Sequence, residues 1–232
     1  MSIIPNFVTA ANMFFGFAAM IYTMQGEYTT AIWGIFFASL LDLLDGRIAR
    51  TLNATSKFGV EFDSFSDLVS FGVAPSLLLY QVFFIDWGFG GMVLSFAPML
   101  FGAIRLARYN TEAGRGNPNF SKGLAIPAAA LLLAGYVGFA NEFKLQSADM
   151  IAASVVVAIS FLMVSNIPFH SNKMEGKRSQ NWKVFPFISM LISVAIWGVV
   201  SIFFWSALYT LLGLTRWLAL TINEHVFNGR FA

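Results

Sequence analysis

Four aspartates stand inside apolar sequence. In the stretch LLDLLDGRIARTLNATSKFGVEFDSFSDLVSFG one apolar segment ends in Asp42 and Asp45, and the next opens with Asp63 and Asp67. A carboxylate deep in a membrane span costs about 2.5–3.5 kcal/mol, so four near one level demand compensation by cations or water. On a helix turning about 100° per residue, Asp42, Asp45, Gly46 and Ala49 share one face, and Arg50 flanks it. Asp63 and Asp67 are i, i+4 neighbours, with Gly59 one turn back on the same stripe. Hard divalent cations suit such a donor set, because Mg²⁺ takes about six oxygen ligands at about 2.1 Å and shares its shell with substrate phosphates. Two ions about 4 Å apart can neutralise a pyrophosphate and hold the leaving and attacking oxygens of an in-line displacement. Gly46, Ala49 and Gly59 remove bulk beside the carboxylates and leave room for a nucleotide, while Arg50 can fork onto phosphate oxygens. Without the aspartates, the same small residues would read as helix packing.

The elements that carry these residues follow from composition. Of 232 residues 57% are hydrophobic and 11% charged, with 26 Phe and 6 Trp, too little polar surface to coat a water-soluble body. The sequence therefore predicts an all-α polytopic membrane protein, read as a single membrane domain over residues 1–232. Apolar windows place spans at 6–24, 28–50, 63–85, 89–107, 124–141, 148–168, 184–204 and 207–222, the last interrupted by Arg216. The start lacks a basic region ahead of its apolar run, so a removable leader is not expected. Zero Cys excludes disulfides and thiolate metal sites.

Charge sets the expected orientation. If alternate connectors share a side, that side collects Arg47, Arg50, Lys57, Arg105, Arg108, Arg115, Lys122, the run Lys173 to Arg178, Lys183, Arg216 and Arg230, with only Lys144 opposite. By the positive-inside rule the basic side, and with it the aspartates, faces the cytoplasm. The basic run reads as a topogenic loop against anionic headgroups, and the sequon Asn53-Ala54-Thr55 falls on the cytoplasmic side. His170 and His225 have no partner at metal-ligand spacing and read as interfacial residues. Counted at about 1.5 Å per residue from Tyr28, Asp42 lies roughly 21 Å across, in the inner third.

The spacing Asp42-x2-Asp45-Gly46-x2-Ala49-Arg50-x8-Gly59-x3-Asp63-x3-Asp67 resembles the signature of the CDP-alcohol phosphatidyltransferase family at all eight positions. The flanking FGVEFDSFSDLVSFGVAPSLLLY, RLARYNTE and KGLAIPAAA are most similar to its membrane-embedded branch that uses L-serine, over about residues 5 to 135. The resemblance implies a six-helix core, here with about two extra C-terminal spans, working as a homodimer in a prokaryotic inner membrane. It implies transfer of the phosphatidyl group of CDP-diacylglycerol to the L-serine hydroxyl with release of CMP, and no nucleic-acid partner. By motif position Asp42, Asp45, Asp63 and Asp67 would hold two Mg²⁺ or Mn²⁺ ions, with Asp67 also the general base. CDP-lipid contacts would fall on Asn6, Gly46, Ala49, Arg50, Ser56 and Gly59.

An amino-acid acceptor needs a cation for its carboxylate, and Arg105, Arg108, Asn110 and Lys122 lie on the motif's side. Each of them can bind serine or lipid phosphate, or serve as a positive-inside anchor. Two rival readings remain at this level. Another alcohol, such as glycerol 3-phosphate or inositol phosphate, would use the same catalytic motif. A cation-coupled transporter would also place aspartates in spans, though nearer the midplane and on broken helices.

Overall fold

The computed structural model describes residues 3–51, 56–112, 120–170, 189 and 192–228. Outside them, in whole or at the side chain, lie the sequon, the basic run, Arg115, Lys183, Arg230, Ala49, Arg50, His170 and His225.

The chain begins with two long helices, α1 (Ile3–Met24) and α2 (Tyr28–Thr51), joined by a tight turn whose backbone bonds run Gln25 N to Ile21 O and Glu27 N to Tyr22 O. They pack antiparallel along their length. Next, α3 (Lys57–Asp67) starts on a Ser56 cap, whose hydroxyl accepts the Gly59 N–H at 3.0 Å. Directly after Asp67 the helix widens into a π turn at Leu68–Val73 before α4 (Ala74–Leu79). Pro75, at the start of α4, has no N–H to return to the preceding turn, and the wider turn absorbs that missing bond.

A second π turn (Tyr80–Phe84) and a 3₁₀ turn (Ile85–Trp87) lead to Gly88 at φ 57° and ψ −134°, a conformation that needs glycine. There the chain reverses into α5 (Gly88–Glu112), which packs back on both π turns and α4. The 56-residue apolar helical stretch Lys57–Glu112 is thus a doubled hairpin of two crossings.

A ribbon of two three-residue strands, β1 (Phe120–Lys122) and β2 (Pro168–His170), pairs antiparallel and brackets α6 (Ile126–Glu142) and α7 (Ala148–Val164). Its register sets Ser121 opposite Phe169. Along α6 apolar residues are buried on every side, from Ile126 through Leu133 to Ala140, so this helix is the centre of the bundle, packed by α2, α4, α7 and the final helix. Large apolar side chains cover the outside as well as the core. Phe7, Phe89, Phe161 and Trp197 stand outward at 74%, 80%, 65% and 69%, the surface of an integral membrane protein with lipid as its solvent.

Two expected boundaries move. The span set at 148–168 ends at Val164, because Pro168–His170 pairs with β1 instead of continuing the helix. The division expected between 204 and 207 is absent, since Trp205 and Ser206 lie inside a continuous 30-residue helix, α9 (Val199–Asn228). The break falls at Gly198, φ 61°, after the helical residues 192–197 (α8). Trp205 Nε1 donates to Ser193 Oγ at 2.7 Å across twelve residues, so α8 folds back along α9. Arg216 sits exposed on α9 without interrupting it.

Candidate active site

Side-chain hydroxyls fix three helices in register at one end of the bundle. Thr9 Oγ1 lies 3.1 Å from both Pro5 O and Asp45 Oδ2, its hydroxyl tying α1 to α2. Ser66 donates to Thr9 O and Ser70 to Asn12 O, each at 3.0 Å, tying α1 to α3 and the π turn that follows it. Pairings 9 with 66 and 12 with 70 make α1 and α3 parallel, whereas 9 with 45 is antiparallel. Gly16 makes this approach possible, because a Cβ there would clash with the Ser70 side chain and Cα.

Held this way, carboxylate oxygens of Asp42, Asp63 and Asp67 come within 4.8 Å of one another. Asp67 is 8% exposed and its Oδ1 has no hydrogen-bond partner among the described residues. Asp45 stands apart from the other three acids. It is buried at 4%, hydrogen-bonded to Thr9, and outside the group of three, though near enough to feel the Asp63 charge.

Among the described residues the cation facing this cluster is Arg105 of α5, 8% exposed and in electrostatic contact with Asp67 and Asp42. Its other neighbours in charge are Arg108 and Tyr209 of α9, so the C-terminal hairpin reaches the edge of the site. Among the described residues one buried guanidinium faces four carboxylates, and in a low-dielectric site that excess of acid favours the entry of cations. Three converging oxygen donors, one with an open buried lone pair, fit hard divalent ions.

The nucleotide-side residues gather at the start of α3. Gly59 lies under Ser56, and the position its Cβ would take is 3.6 Å from Asn6 Oδ1, so the Pro5-Asn6 segment of α1 lies against the motif glycine. Gly46 is half-buried beside Asp45. Ala49 and Arg50 are on the last turns of α2, their side chains outside the described set.

Of the remaining candidates, only Arg105 faces the carboxylates. Arg108 turns its guanidinium onto carbonyls, donating to Val164 O at 2.8 Å, Lys122 O at 3.0 Å and Ser165 O at 3.3 Å. It caps the C-terminal end of α7 and pins β1. Lys122 pairs with Glu112 at 3.0 Å on the exposed surface. Asn110 donates to Ser64 Oγ at 2.9 Å, bracing α5 against α3 beside Asp63.

Sequence reasoning passed over Thr9, Asn12, Ser66 and Ser70. The signal was present as Asn6-x2-Thr9-x2-Asn12, a polar stripe down an otherwise apolar helix on the face that meets the aspartates.

Comparison with known proteins gives this geometry a lineage. The CDP-alcohol phosphatidyltransferase family profile matches residues 2–212. A Helicobacter pylori protein named CDP-diacylglycerol–serine O-phosphatidyltransferase is 37% identical over 97% of this chain and 94% of its own length. A Bacillus subtilis protein of the same name is 35% identical over 78% of this chain and 99% of its own. An archaetidylserine synthase of Methanothermobacter thermautotrophicus is 32% identical over 72% and 69%. With the motif, the clustered carboxylates and these matches in agreement, the chain belongs to the CDP-alcohol phosphatidyltransferase family.

Proposed function

We propose that this membrane enzyme transfers the phosphatidyl group of CDP-diacylglycerol to the hydroxyl of L-serine and releases CMP. The observation that carries the reading is the convergence of Asp42, Asp63 and Asp67 oxygens within 4.8 Å at the ends of two helices. Serine as acceptor is supported by the printed names of relatives that align over nearly the whole chain.

Asp42, Asp45, Asp63 and Asp67 would hold two Mg²⁺ or Mn²⁺ ions, with Thr9 orienting Asp45 from behind. Metal held there would supply positive charge to the pyrophosphate and to the leaving CMP. Asn6, Gly46, Ala49, Arg50, Ser56 and Gly59 form the CDP-lipid side, supported by the approach of both Asn6 and Ser56 to Gly59. Asp67 takes the proton of the serine hydroxyl as its oxygen bonds to the lipid-side phosphorus and the bond from that phosphorus to CMP breaks. Arg105 offers its guanidinium to the serine carboxylate or the lipid phosphate.

The whole chain acts as one membrane domain, a homodimer in the cell membrane with the site facing the cytoplasm. Orientation is supported by Lys57, Arg105, Arg108 and Lys122 clustering at the site's end while Lys144 stands in the turn at the far end, between α6 and α7.

The test is CMP release by purified protein in detergent with CDP-diacylglycerol and Mn²⁺ or Mg²⁺. The expected result is release with L-serine, none with glycerol 3-phosphate, and loss of activity on chelation. Release with glycerol 3-phosphate instead replaces the acceptor. Absence of release with any alcohol, from folded and metal-loaded protein, overturns the transferase.

A further inference from the structure

Asn12 is fully buried, at 0% exposure, and neither its carboxamide nitrogen nor its oxygen has a hydrogen-bond partner among the described residues. Leaving a buried donor and acceptor unmet is costly, and a leucine of nearly the same size would fill the space without that cost. Something must repay the carboxamide.

Its position points to the catalytic carboxylates. Asn12 lies on one stripe of α1 between Thr9, which reaches Asp45 of α2, and Gly16, which abuts Ser70 just beyond α3. Because α1 and α2 are antiparallel and Thr9 is level with Asp45, three residues further along α1 is three residues back along α2, at Asp42. Because α1 and α3 are parallel, with Thr9 at Ser66 and Asn12 at Ser70, Asp67 falls between those two levels. The carboxamide thus faces the interior of α1, α2 and α3 where Asp42 and Asp67 converge, and Asp67 Oδ1 there is buried and likewise unmet.

The complement of this set is chemically narrow. It must bring a donor for the carboxamide oxygen, an acceptor for the carboxamide NH₂ and a hydroxyl proton for Asp67. An α-amino acid with a side-chain hydroxyl carries all three. We propose that Asn12 is a specificity-determining residue that holds the amino-acid head of the acceptor: its oxygen takes the α-ammonium, its NH₂ gives to the α-carboxylate, and the hydroxyl is left at Asp67. This inference rests on the transferase reading above and adds to it the residue that selects an amino acid over a plain alcohol.

The test is Asn12→Leu, purified in detergent and compared with the unaltered protein for KM of L-serine, KM of CDP-diacylglycerol, thermal midpoint, and the preference for L-serine over ethanolamine, which lacks the carboxylate. Expected is a rise of about 10- to 100-fold in the serine KM, the loss of hydrogen bonds to charged groups, with the lipid KM within about twofold. The preference for serine over ethanolamine should shrink by a similar factor. An unchanged serine KM, or a uniform fall in activity with both KM values and thermal midpoint moving together, overturns the inference in favour of packing or a trapped water. Should Asn12→Leu not fold, Asn12→Ala removes the same carboxamide and carries the same expectations. Unaltered protein that ignores serine defeats the proposed function itself, whereas serine-active protein with an indifferent Asn12 defeats this inference alone.

Discussion

Asp67 carries two duties in the proposed reaction, metal ligand and base, and its 8% exposure leaves it little contact with bulk water. Asp67→Asn keeps the shape and removes both duties. CMP release should fall below about a hundredth of the original, since general-base catalysis alone is worth about 10²–10⁴. The thermal midpoint of the metal-free protein should hold or rise, because one negative charge leaves a crowded cluster. Retention of more than about a tenth of the activity would remove Asp67 from the role. Thr9 acts one step further out. Its hydroxyl lies 3.1 Å from Asp45 Oδ2, so Thr9→Val should raise the metal concentration for half-maximal activity about tenfold, the usual size of an outer-shell effect. A titration of activity against Mn²⁺ reads this directly, and an unchanged curve would separate Asp45 from the metals.

At the scale of elements, the site depends on where helices end and what ties their ends. Three carbonyls, of Val164, Ser165 and Lys122, converge on Arg108, joining the last turn of α7 to the β ribbon. Arg108→Ala strips partners from these carbonyls together, and about 2–4 kcal/mol of stability should go with them. The serine KM should stay within about twofold, which distinguishes a clamp from a substrate contact. A serine KM raised tenfold at unchanged thermal midpoint would restore Arg108 to the site. The π turn after Asp67 is another such device: it widens the helix ahead of Pro75, which withholds an N–H about two turns beyond the base, and delivers Ser70 onto α1.

For the molecule as a whole, basic residues gather at the end that holds the aspartates, whereas the turns at the other end carry Glu27, Asp86 and Glu142. The Thr9, Ser66 and Ser70 hydroxyl ties and the Arg108 clamp lie at the end that holds the aspartates, while Lys144 stands in the turn between α6 and α7 at the other end. With no native Cys in the sequence, single replacements report sidedness cleanly. In sealed inverted vesicles, whose outer surface is cytoplasmic, Lys57→Cys should react with an impermeant maleimide and Lys144→Cys should not. The reverse pattern would turn the protein over and move CDP-lipid binding to the other leaflet. Folding of the C-terminal hairpin brings α9 against α6, β2 and α2, and its Tyr209 packs on Phe169, ring centroids 6.3 Å apart, within the field of Arg105. The final helix thereby borders the site, beyond the eight positions of the motif.

The membrane class, the helices and the four aspartates were legible in the linear sequence, because hydrophobic runs of spanning length and carboxylates inside them are local features with large energies. Span positions were legible where a turn residue or polar connector punctuates the run. Between 199 and 228 nothing in the hydropathy distinguishes one long helix from two, and the decision fell to Gly198, whose positive φ matters only once α8 folds back on α9. Which cation faces the carboxylates was also beyond the sequence. Arg105 and Arg108 are three residues apart on one helix, and only the approach of α7 and the β ribbon turns one onto backbone carbonyls while the other keeps to the acids. The separation of Asp45 from the other three depends on Thr9, a partner 36 residues away. Residue types and spacing thus determined what chemistry is available; the crossing of three helices, locked by single hydroxyls onto one another's backbones and side chains, decided which groups meet.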